Sequence, residues 1–318
     1  MGFFKKMRSH AAMARGDFGT LFRDVEIPPL PAAVSRLVIE VNRAEPDIDR
    51  LTMLIASSPG LAAKVIKTVN SSFYGMRVPV DSVKRAVTLL GVDQVRILAL
   101  AFATMEALPM PATELFSLTV FWTDALLRAS LARALARKAF SDQLDRVFTV
   151  ALLADLAIPV LLSSWSDYYL PVFAEAKSGC RPLAVVEREH FHWDHAQAGG
   201  WILQSWDFPD ELVCCLASHT LSRQELQEAG LEGTLAVPLA VAALLPGVSS
   251  VDLLRLQEFS RTAQGWLGCS PEDLQTALEE VRSSIKEVLD LLDLPESPVT
   301  HSLDLLAAAI AGPATEAL

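Results

Sequence analysis

The residue best placed to do chemistry is Asp155, the only ionisable side chain between Val147 and Leu162. The other residues of this stretch are apolar except Thr149, which is typical of a buried helix. An uncompensated carboxylate inside such a helix costs several kcal/mol, so it must be paired, bound to a metal or turned toward a cleft. We therefore expect a polar or charged group to face Asp155.

Histidines are concentrated later in the chain, in a stretch that also contains Asp194. Four of the six fall there: His190, His192, His195 and His219. Histidine with carboxylate is the ligand chemistry of hydrolytic metal sites. However, Asp194 has capping-box spacing to Gln197, which predicts a helix N-cap, and His190 and His192 are then expected in a loop before it. His195 and His219 are equally compatible with hydrogen-bonded structural roles, and the sequence lacks H-E-x-x-H and an adjacent His-Asp pair.

The elements that must position these residues are helices. Apolar residues recur at i, i+3, i+4 and i+7 from Val34 onward, with caps predicted at Asp47 and Asp81. Gly91 separates two helices between residues 82 and 103, and a long helix is predicted from Leu118 to about Lys138. No stretch alternates with period two, and neither a dinucleotide-binding glycine motif nor a P-loop occurs. The predicted fold class is all-α.

Composition narrows the class of protein further. The 318 residues are 51% hydrophobic and 20% charged, with a net charge of −11, which argues against a surface that coats nucleic acid or an anionic membrane. The four cysteines form no C-x-x-C pair, and Met1–Arg15 lacks the apolar stretch of a secretory signal. We expect a cytoplasmic protein with reduced cysteines, no membrane insertion, and Val147–Leu162 as buried core.

A helix with coiled-coil spacing is predicted after the capping sequence Ser270-Pro271-Glu272-Asp273. Its apolar residues are Leu274, Leu278, Val281, Ile285, Val288 and Leu292. Fewer than three full heptads are present, so the helix either packs on its own domain or serves as a partner-docking or dimer helix. Residues 270–318 hold ten acids and two bases, which favours recognition or self-docking.

Several segments resemble one known family in order and spacing. They are Ile27-Pro28-Pro29-Leu30-Pro31, Ser58-Pro59-Gly60-Leu61, Val69-Asn70-Ser71-Ser72-Phe73-Tyr74-Gly75, Arg85-Ala86-Val87-Thr88-Leu89-Leu90-Gly91, Phe121-Trp122, Ala151 to Ala157, Asp194-His195-Ala196 and His219. Together they resemble the HDOD family, metal-less relatives of HD-domain phosphohydrolases that act as bacterial signalling output modules. The resemblance covers about residues 24 to 222. It implies an HDOD domain over residues 25–222, made of a short-helix bundle (25–110) and a degenerate HD-like bundle (111–222). A basic arm (1–24) precedes it and a C-terminal helical extension (223–318) follows it.

Two departures from the HD pattern bear on the mechanism. Asp124 stands where an HD enzyme has its first histidine, and Ala154 stands where the histidine of the His-Asp pair belongs. The resemblance therefore implies a vestigial cleft of Asp124, Asp155, Asp194, His195 and His219, with no catalytic residue, no bound metal and no cofactor. Within it, we expect a histidine such as His195 or His219 to hold Asp155.

A local basic cluster lies between residues 61 and 104, where six basic side chains oppose two acids. It is either a solvated face or a binding patch. With neighbouring polar residues, the candidate binding set is Lys64, Lys67, Asn70, Ser71, Tyr74, Arg77, Lys84 and Arg85. The second helix of the nearby helix-turn-helix pattern is apolar and has one basic residue, Arg96, which argues against DNA binding.

The sequence thus favours a non-catalytic signal-transduction output or adaptor protein. It would act by binding a partner protein or a small signalling ligand, and a homodimer is left open. Two alternatives remain: a residual metal-dependent phosphohydrolase or cyclic-nucleotide phosphodiesterase, and a receptor that binds a cyclic dinucleotide without cleaving it.

Overall fold

Helices account for all regular structure in the described part of the computed structural model, which comprises residues 32–43, 45, 47–72, 74–249 and 253–311. No strand occurs within these ranges, so the all-α prediction is confirmed. The predictions for the arm at 1–24, the proline-rich entry at 27–31 and Phe73 lie outside the described residues.

Five helices form the first bundle: α1 (Ala32–Val41), α2 (Ile48–Ala56), α3 (Pro59–Asn70), α4 (Val83–Leu90) and α5 (Val92–Ala107). Asp47 caps α2, as predicted, by accepting the backbone N–H groups of Asp49 and Arg50. Ser58 caps α3 with proline in the first turn. The cap of α4 is Ser82, one residue after the predicted Asp81.

Seven helices follow: α6 (Leu118–Ala136), α7 (Leu144–Leu153), α8 (Ala157–Ser164), α9 (Ser166–Ser178), α10 (Leu183–Phe191), α11 (His195–Ser205) and α12 (Asp210–Ala217). Helix α6 is buried on nearly every side because it packs against α7 and against two later helices. Its small residues Ala125, Ala129 and Ala132 allow this close approach. Helix α6 is therefore the central helix of the middle bundle, which comprises α6 to α12.

The stretch expected as one helix, Val147–Leu162, is in fact two. Residues 154–156 form a turn between α7 and α8, so Asp155 lies at a helix break and not inside a helix. Pro159 explains the break, because it cannot donate the hydrogen bond that a continuous helix needs there, whereas it is tolerated in the first turn of α8. The segment Leu144–Ser164 is long and apolar enough to cross a membrane, but 78% of its most apolar window is buried inside the protein.

The loop expected around His190 and His192 is also shorter than predicted. His190 lies in α10, and His192 ends that helix with a left-handed φ of 62°. Helix α10 extends this far because buried Val186 and partly buried Phe191 both pack inward.

Five helices complete the chain: α13 (Arg223–Glu228), α14 (Ala236–Ala243), α15 (Leu253–Leu267), α16 (Pro271–Leu291) and α17 (Glu296–Ala311). Helix α16 packs against α3, α6 and α17. Its polar side also contacts the earlier bundles, through Glu280 with Arg133 and Arg137, and through Ser72 Oγ, which donates to the Ser283 carbonyl at 3.1 Å. One hydrophobic core cluster runs from Val34 to Ala309.

The apolar seam of α16 packs against other helices of this chain. Leu274, Leu278, Val281, Ile285 and Val288 are buried, and Leu292 is partly buried. The first alternative, a helix packed on its own domain, is what the structure shows. A docking or dimer helix that uses these six residues is not compatible with it, because the surface that such a partner would need is already covered.

We expect Leu278→Ala to lower the free energy of unfolding by about 2–5 kcal/mol, because it leaves a cavity in a packed core. Urea unfolding measures this loss, with exposed Glu279→Ala as the matched control on the same helix, expected within about 0.5 kcal/mol. A variant that keeps its stability but changes its oligomeric mass would contradict the packing described here.

Candidate functional site

Three positive or imidazole groups surround Asp155, which is 14% exposed. Arg128 Nη1 donates to Asp155 Oδ2 at 2.7 Å. The other carboxylate oxygen, Oδ1, lies 3.3 Å from Nε2 of His195 and 3.3 Å from Nε2 of His219. The structure thus brings both candidate histidines to Asp155 and adds an arginine from α6. We refer to Arg128, Asp155, Glu187, His195 and His219 as the Asp155 cluster.

His195 is fixed by Glu187, a fully buried carboxylate on α10. Glu187 Oε2 accepts the backbone N–H of His195 at 2.9 Å and lies 2.6 Å from its Nδ1, while Oε1 accepts the hydroxyl of buried Tyr169. Because Nδ1 faces a carboxylate, it carries a proton, and Nε2 is turned toward Asp155. The first residue of α11 is thereby held on both sides of its ring.

His219 follows α12 and is held by the backbone. Its Nδ1 lies 2.7 Å from the carbonyl oxygen of Leu216, an acceptor only, so Nδ1 donates. Its Nε2 is buried and forms no well-aligned hydrogen bond, although it lies beside Asp155. The two imidazole rings are 5.3 Å apart between centroids. Both therefore point Nε2 at the same carboxylate oxygen.

The charges of the cluster shift its pKa values in opposite directions. Burial opposes the ionisation of Asp155, but the hydrogen bond from His195, the adjacent imidazole of His219 and the charge of Arg128 outweigh it and hold its pKa well below the usual range. Burial likewise opposes protonation of His195, but the charge of Glu187 and the hydrogen bonds with Asp155 and Glu187 raise its pKa well above the usual value. The cluster therefore contains an ionised Asp155 and a protonated His195 at neutral pH.

The remaining two members of the predicted cleft serve other purposes. Asp194 caps α11 in the predicted capping box with Gln197, and its Oδ2 also accepts bonds from Arg188 and Thr220. Asp124 Oδ1 accepts the backbone N–H of Val248 at 2.6 Å. In the part of the chain that is described, Asp155, His195 and His219 are the only group of three or more such residues whose potential metal-ligand atoms all lie within 4.8 Å of one another.

Comparison with known proteins places this geometry in a family. The model of the HDOD domain matches residues 27–221, which is more than half of the chain. The chain belongs to the HDOD family. A curated relative, an uncharacterised protein from Treponema pallidum, is 22% identical over 196 residues. The match spans 61% of this chain but only 37% of that relative's length.

Solved structures share the fold at low sequence identity. An HDOD domain protein of unknown function from Geobacter sulfurreducens has a TM-score of 0.64 at 20% identity, covering 90% of this chain and 98% of its own. A protein from Shewanella amazonensis SB2B, provisionally described as a phosphohydrolase, has a TM-score of 0.61 at 19% identity. The match covers 95% of this chain and 98% of that protein. A protein from Marinobacter aquaeolei VT8, provisionally described as a signal transduction protein, has a TM-score of 0.59 at 20% identity. The match covers 95% of this chain and 66% of that protein.

The residues of this HDOD cleft can be tested against the metal of HD hydrolases. In type and number, two imidazoles and a carboxylate would suffice for one ion. The charges around these residues do not suit a metal ion, because the Arg128 guanidinium already bonds to Oδ2 of Asp155 and would repel a divalent cation. Asp124 is turned to Val248, and Ala154 offers no side-chain ligand atom. The set does not fit a hydrolytic metal centre.

The basic and polar candidates in the first HDOD bundle divide into three groups. Asn70 clamps the loop to Val80 through two 2.6 Å hydrogen bonds, and buried Ser71 bonds to the Thr68 carbonyl. Tyr74 is partly buried with the Arg133 guanidinium 5.8 Å from its ring centroid, and burial together with the charge of Asp145 raises its pKa well above the usual value. The polar groups of these three residues are engaged within the chain.

The cations of that set are on the surface to different degrees. Lys64 pairs with Glu106 at 2.6 Å, and Lys84 pairs with Asp49 at 3.0 Å. Lys67, Arg77 and Arg85 are exposed, and none forms an ion pair with any described residue. These three cations are what remains of the predicted patch.

Sequence reasoning missed Arg128, Glu187 and Tyr169. Arg128 had a usable signal, since it lies four residues after Asp124 and therefore on the same helix face. Glu187 and Tyr169 had none, because their pairing joins α9, α10 and α11 across the fold. Local patterns do not carry such contacts.

We expect His195→Gln to reduce stability in a pH-dependent way. The raised pKa means that the protonated ring stabilises the folded state. This contribution is complete below the unfolded-state pKa of about 6.5 and decreases as the pH rises through the raised value. Asp155, with its lowered pKa, stays ionised throughout this range.

Urea unfolding between about pH 5 and pH 9 checks this expectation. The stability deficit of His195→Gln relative to the natural chain should be largest at about pH 5–6 and shrink toward pH 9. Exposed His301→Gln is the control and should show little deficit at any pH. A deficit that stays constant with pH would mean that His195 is neutral in the cluster.

Proposed function

We propose that this HDOD protein is a non-catalytic signal-transduction module that acts by binding a partner protein or a small signalling ligand. One observation carries the non-catalytic part: the Arg128 guanidinium bonds to Asp155 at 2.7 Å. The resemblance described above equates this cleft with the metal site of HD enzymes. The HDOD family membership and the Marinobacter neighbour's description support the signalling part.

The contacts within the Asp155 cluster support a structural role for the cleft around Asp155. Two carboxylates, Asp155 and Glu187, are matched by Arg128 and by protonated His195. A balanced and buried network of this kind is rigid, since removing one partner leaves an uncompensated charge. Hydrolysis instead requires an ion with an open position and an activated water. In this proposal the fixed cation takes the place of the ion.

The exposed cations of the first bundle supply a candidate contact for an acidic partner. Lys67, Arg77 and Arg85 lie outside any ion pair within the described residues, in a chain whose net charge is −11. Exposed unpaired charge steers association more than it stabilises a fold. A partner with an acidic face would therefore be attracted to this bundle and repelled by the acidic C-terminal region.

A second candidate function, a metal-dependent phosphohydrolase, is favoured by a different observation. The donor atoms of Asp155, His195 and His219 lie within 4.8 Å of one another, and His219 Nε2 is buried without a hydrogen bond. The Shewanella neighbour, provisionally described as a phosphohydrolase, also supports this second candidate. Metal content and turnover separate the two candidates.

We expect the natural chain, purified without chelator or affinity nickel, to contain no stoichiometric manganese, iron or zinc by mass spectrometry. Arg128→Met keeps the length of the side chain but removes its charge, so it should raise the affinity of Asp155, His195 and His219 for a divalent metal at least tenfold. Arg137→Met, on the exposed turn after α6, is the matched control and should leave metal affinity unchanged.

Phosphodiester turnover with added manganese completes the test. The natural chain should show none on bis-p-nitrophenyl phosphate. One or two equivalents of metal, lost together with turnover in Asp155→Asn, would overturn the proposal and establish the hydrolase instead.

A further inference from the structure

A second feature lies outside the HDOD match, in the C-terminal extension. A groove of about 470 Å³ runs between the start of α13 and the second half of α15. Its lining residues are Arg223, Glu258, Arg261, Thr262, Gly265 and Trp266. None of them belongs to the Asp155 cluster, and the volume is within the range of small-molecule sites.

Two guanidinium groups dominate the charge of this groove. Arg223 Nη1 donates to the Gly265 carbonyl at 2.8 Å, which fixes the guanidinium at the edge of the groove. Arg261 is exposed, and its Nε donates to the carbonyl of Gln257 in its own helix at 3.4 Å. Within the described residues, neither arginine forms an ion pair with an acid, although Glu258 lines the same groove. Both retain donors for an anion.

A flat aromatic surface and polar groups complete the lining. Trp266 is partly buried and packs against the small core cluster around Leu226 and Ala236, so its indole is held in place. Thr262 offers a hydroxyl, and the Glu258 carboxylate offers acceptors for amino or hydroxyl groups. Guanidinium pairs suit phosphate, and a fixed indole suits a planar ring.

We propose that this groove binds a mononucleotide. Its phosphate lies between Arg223 and Arg261, its base lies against Trp266, and a base amino group or ribose hydroxyl donates to Glu258. The combination gives a role to two arginines that lie beside an indole and form no ion pair within the described residues. The site goes beyond the proposed function and does not depend on it, because no residue is shared with the Asp155 cluster.

Isothermal titration calorimetry on the full chain tests the assignment, with AMP and GMP as probes and with adenosine, guanosine and inorganic phosphate as reference ligands. Saturable binding of at least one nucleotide is expected below about 1 mM. Arg261→Gln should weaken it at least tenfold, whereas Arg255→Gln, which removes the same charge from the same helix outside the groove, should not.

A variant that blocks the groove sterically gives an independent test of nucleotide binding. A Cβ built on Gly265 meets no atom within 4 Å, so Gly265→Leu fits the helix yet narrows the groove and should abolish binding. Gly233→Leu is the matched control, since Gly233 is equally open and lies elsewhere. Circular dichroism verifies that each variant keeps its helices.

Three results would overturn the proposal: no nucleotide binding at about 1 mM, binding that survives both Arg261→Gln and Gly265→Leu, or equal binding of inorganic phosphate or nucleoside alone. The metal and turnover measurements on the Asp155 cluster are unaffected by any of them, so failure of this site is distinguishable from failure of the proposed function.

Discussion

The ion pair between Arg128 and Asp155 is the contact on which the middle of the molecule depends. Asp155 sits in a helix break inside an apolar stretch, where an ionised carboxylate is costly without a cation. Meeting this requirement brings together α6, the turn between α7 and α8, the start of α11 and the end of α12. Glu187 and Tyr169 extend the network to α10 and α9. One largely buried charge thus helps to fix the relative positions of seven helices.

Under the function proposed above, the same network would allow an HD-like scaffold to persist without hydrolysis. HD chemistry needs an ion that exchanges ligands, whereas a guanidinium is permanently attached to its helix and offers no open coordination position. In that proposed role, Arg128 supplies the positive charge that Asp155 requires, in place of an exchangeable metal ion.

Most of the interactions that could be predicted are local in sequence. The capping box of Asp194 with Gln197, the caps at Asp47 and Ser270 and the turn at Gly91 each involve neighbours within three or four residues. The resemblance to HDOD proteins predicted the helical fold and a histidine such as His195 or His219 beside Asp155, and both histidines lie there. The break at residues 154–156 could have been read from Pro159. Arg128 could have been suspected from its spacing to Asp124, whereas the contact from Glu187 could not be identified, because tertiary packing alone brings it close.

The placement of α16 changes what counts as a unit of folding in this protein. The HDOD match ends at residue 221, yet the apolar seam of α16, some fifty residues later, rests on both α3 and α6. A fragment cut at the family boundary would uncover apolar faces of two bundles at once and would be prone to self-association. The family match and the packed core therefore end at different residues, and the C-terminal extension belongs to the packed core.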